Sequence, residues 1–194
     1  MTPPPGPRPF VLVTGNRNKR LEAERILGRT LDSHAVDLPE IQSLDLIEVL
    51  RAKGDEAWRR LRRPVVVEET GLELPALGGF PGPLVKWMLE AVGAGGIART
   101  VHGLGDPRAT ARCALLYRDA EGERIAEGAT SGTLILEPRG DHGFGWDPVF
   151  VPDGETATYA ELAPQDKDRL GHRGRAWRAF RELLDRPATG EPPP

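Results

Sequence analysis

The sequence predicts an α/β fold, a mixed β-sheet with flanking helices, and three stretches carry that prediction. Residues 10–14 (FVLVT) are an apolar, β-branched run that passes through a polar turn, Gly15-Asn16-Arg17-Asn18, into a helical pattern over 19–27. A strand leading through a short turn into a helix is a building unit of α/β sheets. Residues 65–67 are three consecutive valines, the pattern of a buried strand. Residues 110–117 and 125–136 are two longer strand-like runs joined by a tight turn at 119–123. They predict an antiparallel hairpin, which makes the sheet mixed rather than purely parallel.

In order along the chain, residues 1–9 are proline-rich, lack the apolar core of a signal peptide and are expected to form a disordered tail. After the first strand and helix, Gly28 suits a helix C-cap. Residues 35–38 read as a second strand, stopped by Pro39 and followed by Glu40. Residues 46–61 read as a helix with Ile47, Leu50, Ala57, Trp58 and Leu61 on one face. Lys53 lies at the edge of that face, where it either snorkels to solvent or reaches a cleft. The valine strand ends in Glu68 and Glu69, and Thr70-Gly71 is expected to break it. Gly78, Gly79, Pro81, Gly82 and Pro83 then make a rigid turn-rich loop. A helix is expected over 84–92, with Pro83 at its first position. Residues 91–104 are glycine-rich without the spacing of a dinucleotide fingerprint. Residues 143–148 (GFGWDP) read as an exposed loop whose Phe144 and Trp146 either stack on a base or cover the edge of the core. The last helix spans 172–184, with Ala176, Trp177, Phe180, Leu183 and Leu184 as its apolar stripe. Arg173 falls on that stripe, where an unpaired arginine is costly, so it is expected to project past the core edge into a cleft and meet an acceptor. Residues 186–194 form a second tail expected to be disordered.

Length and composition narrow the function. The 194 residues fit one domain, expected over 10–185 and large enough to bury a core in two lobes. No apolar run approaches a membrane span, and a net charge of −3 gives no global attraction to nucleic acid. The single cysteine, Cys113, excludes an internal disulfide framework and a cysteine-based zinc site. These features read as a soluble cytoplasmic protein.

Two stretches carry chemistry. The strand–turn–helix at 10–27 is a geometry that binds phosphate, because free N–H groups at a helix N-terminus attract anions, although the spacing is not that of a Walker loop. Glu68 and Glu69 are paired acids at the end of a buried strand, where open α/β sheets place ligands. Like charges so close repel unless a cation neutralises them, which makes a divalent metal their natural partner. The alternative is two solvated acids.

Seven pieces occur in the order of one family. They are Thr14-Gly15-Asn16 with Lys19; residues 37–42 (DLPEIQ) followed by Lys53; residues 67–70 (VEET) with 76–83 (ALGGFPGP), Lys86 and Trp87; residues 130–132 (TSG); 143–148 (GFGWDP); 158–161 (TYAE); and His172-Arg173. Together they resemble the inosine triphosphate pyrophosphatase family from residue 11 to about 184. The resemblance implies an elongated mixed α/β fold with two lobes around a central cleft, and usually a homodimer. It implies hydrolysis of the non-standard purine nucleotides ITP, dITP and XTP to the monophosphate and pyrophosphate, with Mg2+. By the same resemblance, Thr14, Gly15, Asn16 and Lys19 hold phosphates, with Thr70 beside them. Glu40 and Glu69 serve the metal. Glu69 and Lys53 are catalytic. Lys53, Lys86 and Lys167 meet the nucleotide, and Phe144, Gly145, Trp146, Asp147, His172 and Arg173 line the base pocket. The partner is a small nucleoside triphosphate, not a membrane or a stable nucleic acid. Three positions depart from the family's pattern: Glu69 stands where Asp is usual, Asp168 where Asn is usual and Gly171 where Ser is usual. The competing readings are the same fold retuned to another nucleotide, and a nucleotide- or RNA-binding module with weakened catalysis, pointed to by Glu69 and the arginines of the last helix.

Overall fold

The structure, a computed structural model, describes residues 9–185; the expected tails, Pro9 apart, lie outside the described residues. Its centre is an open mixed sheet of seven strands, β1 (Val11–Val13), β2 (Ser33–His34), β3 (Val65–Glu73), β4 (Pro81–Gly82), β5 (Arg108–Asp119), β6 (Gly122–Leu134) and β7 (Phe150–Pro152). They lie in the order β2-β1-β3-β5-β6-β7, with β4 also paired to β3. The strand β1 runs parallel to β2 and β3, and all other pairs are antiparallel. Five helices flank the sheet: α1 (Arg17–Leu27), α2 (Leu46–Leu61), α3 (Val85–Gly103), α4 (Pro164–Leu170) and α5 (His172–Asp185).

Local chemistry sets most boundaries where the sequence places them. The Asn16 side chain caps α1, its Oδ1 accepting from the backbone N–H groups of Asn18 (2.9 Å) and Lys19 (3.2 Å), and Gly28 closes the helix at φ 67°. The helix α2 spans the predicted residues, started by Asp45, whose Oδ1 accepts from Ile47 N at 2.8 Å. In the hairpin turn, Asp119 Oδ1 accepts from the N–H groups of Glu121 and Gly122.

Four expectations are corrected. The second strand lies two residues upstream of 35–38, because Ser33 and His34 pair with Leu12 and Val13. The strand β3 does not break at Thr70-Gly71; β5 pairs with it continuously from Val65↔Arg118 to Glu73↔Thr110. The glycine at 71 serves close approach instead, since a Cβ there would sit 3.0 Å from the Gly82 carbonyl carbon. The glycine-rich stretch after 92 is helical: α3 is interrupted at Gly93 (φ 69°) and resumes to bury Ile97, Ala98 and Val101, so packing outweighs poor helix propensity. The GFGWDP loop is not exposed at its aromatic–acid end, where Trp146 and Asp147 are buried.

The long strands connect two lobes. At about 3.4 Å per residue, the 12 residues of β5 extend ~40 Å. In one lobe, Leu12, Val66 and Leu115 pack against Trp177 and Phe180 of α5, while Val65, Val67 and Leu116 pack on the opposite face with Leu46 and Leu50 of α2. In the other lobe, Leu72 and Leu74 join Val85, Ile97 and Val101 of α3, with Phe150 and Tyr159. The strand β3 passes from one lobe to the other. On its outer edge β1 pairs with residues 65–67 and β4 with residues 72–73. Neither strand covers 68–71, and this interruption opens the cleft.

Candidate active site

The cleft encloses about 540 Å3 and lies over the uncovered middle of β3. Its lining includes Thr14, Gly15, Asn16, Lys19, Glu40, Lys53, Glu69, Thr70, Lys86, Phe144, Gly145 and Trp146. The structure thus brings twelve of the sixteen predicted site residues to one cavity; Asp147, Lys167, His172 and Arg173 lie outside that lining.

Strand periodicity decides what the two adjacent acids do. Side chains alternate between faces, so Glu69 follows Val65 and Val67 toward α2, whereas Glu68 follows Val66 toward α5. Each acid thus has its own cation, Lys53 for Glu69 and Arg173 for Glu68, although both carboxylates contribute to the lining of the cleft. Glu69 Oε2 accepts from Lys53 Nζ at 2.8 Å, and Glu40 Oε1 accepts from the same ammonium at 2.9 Å. Lys53 thus points into the cleft and does not snorkel. Burial disfavours its charge, but Glu69 and Glu40 outweigh that and hold its pKa above the ordinary lysine value. Burial likewise opposes ionisation of Glu40, yet the bond and charge of Lys53, with Lys86 and Lys19 nearby, hold its pKa below the ordinary carboxylate value.

At one end of the cleft, Thr14 Oγ1 accepts from Asn16 N at 3.1 Å, which tightens the turn before α1. The cleft therefore meets a helix N-terminus, with Lys19 one turn in, an arrangement suited to an anion. Across the cleft, Lys86 Nζ lies 5.0 Å from the ring centre of Trp87.

On the other face of β3 is a buried charge network. Glu68 accepts from Arg173 Nε (2.9 Å) and Trp177 Nε1 (3.2 Å), and Lys19 Nζ approaches it at 3.6 Å. Glu22, on α1, accepts from Arg173 Nη1 (2.5 Å) and Lys167 Nζ (2.8 Å). Asp147 Oδ2 accepts from Lys167 Nζ (2.6 Å) and Phe144 N (2.7 Å). Burial opposes the charge of Glu22, but Arg173 and Lys167 lower its pKa; at Asp147 burial prevails and raises it. Arg173 thus meets acceptors as expected, although within this network and not in the cleft. Phe144 joins the two sites, since it lines the cleft while its ring lies 5.1 Å from Lys167 Nζ and 5.3 Å from Arg173 Cζ. Sequence reasoning missed Glu22. The signal was an acid beside Ala23 on the buried side of α1, a position where a carboxylate needs a partner.

The profile of the Ham1 family matches residues 10–183. The chain belongs to the Ham1 family. It is similar to inosine triphosphate pyrophosphatase of Batrachochytrium dendrobatidis, 42% identical over 179 residues that cover 90% of this chain and 93% of the relative. It is also similar to inosine triphosphate pyrophosphatase 2 of Trypanosoma cruzi, 42% identical over 169 residues covering 85% and 86%. Among solved structures, a HAM1 protein from Coxiella burnetii superposes with a TM-score of 0.77 at 26% identity, over 90% of this chain and 97% of that one. Two departures of this Ham1 chain have local reasons. Asp168 is matched by Arg25, which binds it through two hydrogen bonds. A Cβ at Gly171 would sit 2.6 Å from the Lys167 carbonyl oxygen, so the junction of α4 and α5 admits no side chain without a shift.

His172 gives this Ham1 chain a testable pH dependence. It is buried between Trp146 and Tyr159, with ring centres 6.1 and 5.9 Å away, and neither ring nitrogen has a hydrogen-bond partner among the described residues. Burial, together with the charges of Arg173, Lys167 and Lys19, pushes its pKa well below the ordinary histidine value. The unfolded chain then binds a proton near pH 6.5 that the folded chain refuses, so this contribution to stability is full above that pH and declines below it. Urea unfolding of wild type and His172→Phe between pH 7.5 and 5.5 is expected to differ in slope, wild type losing up to about 1.4 kcal/mol more per pH unit. Equal slopes would mean that His172 protonates freely in the folded state.

Proposed function

We propose that the chain hydrolyses ITP, dITP and XTP to the nucleoside monophosphate and pyrophosphate. The observation that carries this reading is one cleft joining a helix N-terminus with lysines to two carboxylates, Glu40 and Glu69, in a Ham1-family chain whose relatives are named inosine triphosphate pyrophosphatase. The triphosphate lies along Thr14, Gly15, Asn16 and Lys19, with Lys86 and Lys53 adding positive charge and Thr70 beside Glu69. Glu69 orients a water and takes its proton. The water oxygen bonds to the α-phosphorus, the bond from that phosphorus to the bridging oxygen breaks, and pyrophosphate leaves with the electron pair.

Mg2+ fits this donor set. Among the described residues no group of three or more His, Cys, Asp or Glu side chains is placed to hold a metal. Magnesium commonly takes one or two carboxylates and completes its shell with water and substrate phosphates, and Glu40 and Glu69 converge on one cation, Lys53 Nζ. Held by Glu40 and Glu69, the ion would neutralise phosphate charge.

Phe144, Gly145 and Trp146 wall the base, and Lys167 and Arg173, held in the buried network with Asp147 and beside His172, back the Phe144 ring. Hypoxanthine and xanthine carry a keto oxygen where adenine carries an amino donor, so a hydrogen-bond donor facing that edge favours them and rejects adenine. Guanine shares that oxygen, and its exocyclic amine must be excluded by shape. A homodimer and a cytoplasmic location belong to this proposal on the family resemblance. Among the described residues no helix is long and apolar enough to cross a membrane.

The reading as an RNA-binding module is not favoured. Two arginines that prompted it are engaged internally: Arg178 donates to the Asp168 and Arg169 carbonyls and Arg175 to that of Leu170. The test is a panel of ITP, dITP, XTP, GTP and ATP with Mg2+, with products resolved. IMP and pyrophosphate are expected from ITP, with ATP a poor substrate; phosphate and IDP as primary products would overturn the reading.

A further inference from the structure

We propose that the ion pair between Arg25 and Asp168 is a positioning device that holds Lys167 in register with the base side of the cleft and thereby sharpens base discrimination. The proposal rests on the nucleotide reading of the cleft.

The helix α4 is seven residues long and has Lys167 as its one buried residue. With no fully buried apolar side chain, α4 is placed largely by polar contacts and by the close approach of its backbone to Gly174 of α5. At its C-terminal end those contacts lead to α5 and β6: Arg178 donates to the carbonyls of Asp168 and Arg169, and Arg175 and Thr130 Oγ1 donate to that of Leu170. Toward α1 there are two side-chain links. Glu22 accepts from Lys167, and Arg25 grips Asp168 through Nε to Oδ2 at 2.5 Å and Nη2 to Oδ1 at 3.0 Å.

The two links form a matched set. Glu22 and Arg25 are three residues apart on α1 and therefore neighbours on its surface. They present minus and plus to the plus and minus of Lys167 and Asp168, adjacent on α4. Shifting one helix past the other would set like charges together, so the pattern favours one register. A two-bond arginine–carboxylate contact also fixes orientation, which one lysine contact does not. The helix α1 starts at the phosphate turn, so its far end ties α4 to the place where the triphosphate is held. Lys167 in turn touches Phe144, which lines the cleft. Loss of the Arg25–Asp168 link would leave the phosphate turn intact and let the base side drift.

The experiment compares wild type, Arg25→Ala, Asp168→Ala, the double variant and Asp168→Asn. It measures kcat/KM for ITP and for ATP, inhibition by tripolyphosphate, which has no base, and the melting temperature. Each alanine variant is expected to lower the ITP-to-ATP ratio by about 2- to 5-fold, the range for a two-bond, partly exposed ion pair. Tripolyphosphate inhibition should be unchanged, and the double variant should be no worse than either single one, as for two partners in one interaction. Asp168→Asn, which keeps an acceptor for Arg25, should retain most of the ratio. A lower melting temperature with an unchanged ratio would reduce the pair to a structural contact and overturn the proposal, as would additive effects. A wild-type protein that turns over ITP no better than ATP would overturn the nucleotide reading itself, and the positioning role with it.

Discussion

Glu69→Gln is expected to lower kcat for ITP by about 10^2- to 10^4-fold, the usual contribution of a positioned acid or base, while nucleotide binding stays measurable. The substitution preserves shape and removes charge. It takes from the cleft one of the two carboxylates that meet on Lys53, the one proposed to orient the attacking water. Glu69→Asp retains charge but withdraws the carboxylate by one methylene, and a displacement of about 1 Å at a reacting group can cost on the order of 100-fold. In this chain the longer side chain already reaches Lys53 at 2.8 Å, so the backbone of β3 is placed to suit a glutamate. Glu69→Asp should therefore be impaired mildly and not improved. Glu68→Gln is the control. Its carboxylate serves Arg173 and Trp177 on the opposite face, so it should lose stability before chemistry. Full Mg2+-dependent activity in Glu69→Gln would remove Glu69 from the catalytic role and leave Glu40 as the carboxylate to test.

That control shows where the sequence was legible and where it was not. The fold class and the bounds of α2 follow from patterns set locally, by valine runs, an Asp cap and apolar spacing. The twelve residues that share the cleft were named by resemblance to a family, and the structure brings them together around the middle of β3. Adjacency in sequence concealed that Glu68 and Glu69 meet different cations, Arg173 and Lys53. The expected break at Thr70-Gly71 concealed that the strand continues, and a continuing strand sends neighbours to opposite faces. The second half of α3 was obscured by its glycines, because helicity there depends on packing against the distant β5 and β7 lobe and not on propensity. The helix α4 has no apolar periodicity to find, since polar links hold it. Glu22 was missed for a related reason: its partners Lys167 and Arg173 are 145 and 151 residues away, a separation that no local pattern records.

Arg173→Ala is expected to destabilise the fold by about 3–5 kcal/mol, the cost of breaking a buried ion pair by removing one partner. Three acids, Glu22, Glu68 and Asp147, are buried here with three cations, Lys167, Arg173 and, at the margin, Lys19. Arg173 is the only one of the cations that binds both Glu22 and Glu68 among these contacts, so its loss strips charge compensation from two carboxylates at once. In wild type the folded pKa of Glu22 lies below its ordinary value, so its contribution to stability is present above about pH 4.5 and is lost as pH falls through the lowered value. Without Arg173, Glu22 loses the largest charge that opposes burial and keeps only Lys167, so its folded pKa rises and the variant loses less stability than wild type as pH falls. Urea unfolding at pH 7.5 and 5.5 should therefore show the deficit of Arg173→Ala narrowing at the lower pH. Adding Glu68→Gln to Arg173→Ala should recover part of the loss at pH 7.5, because it removes one uncompensated charge. A deficit below about 1 kcal/mol, or one that is constant across this pH range, would mean that the guanidinium is not the counter-charge of this network, and a place for it in the open cleft would then be the better account.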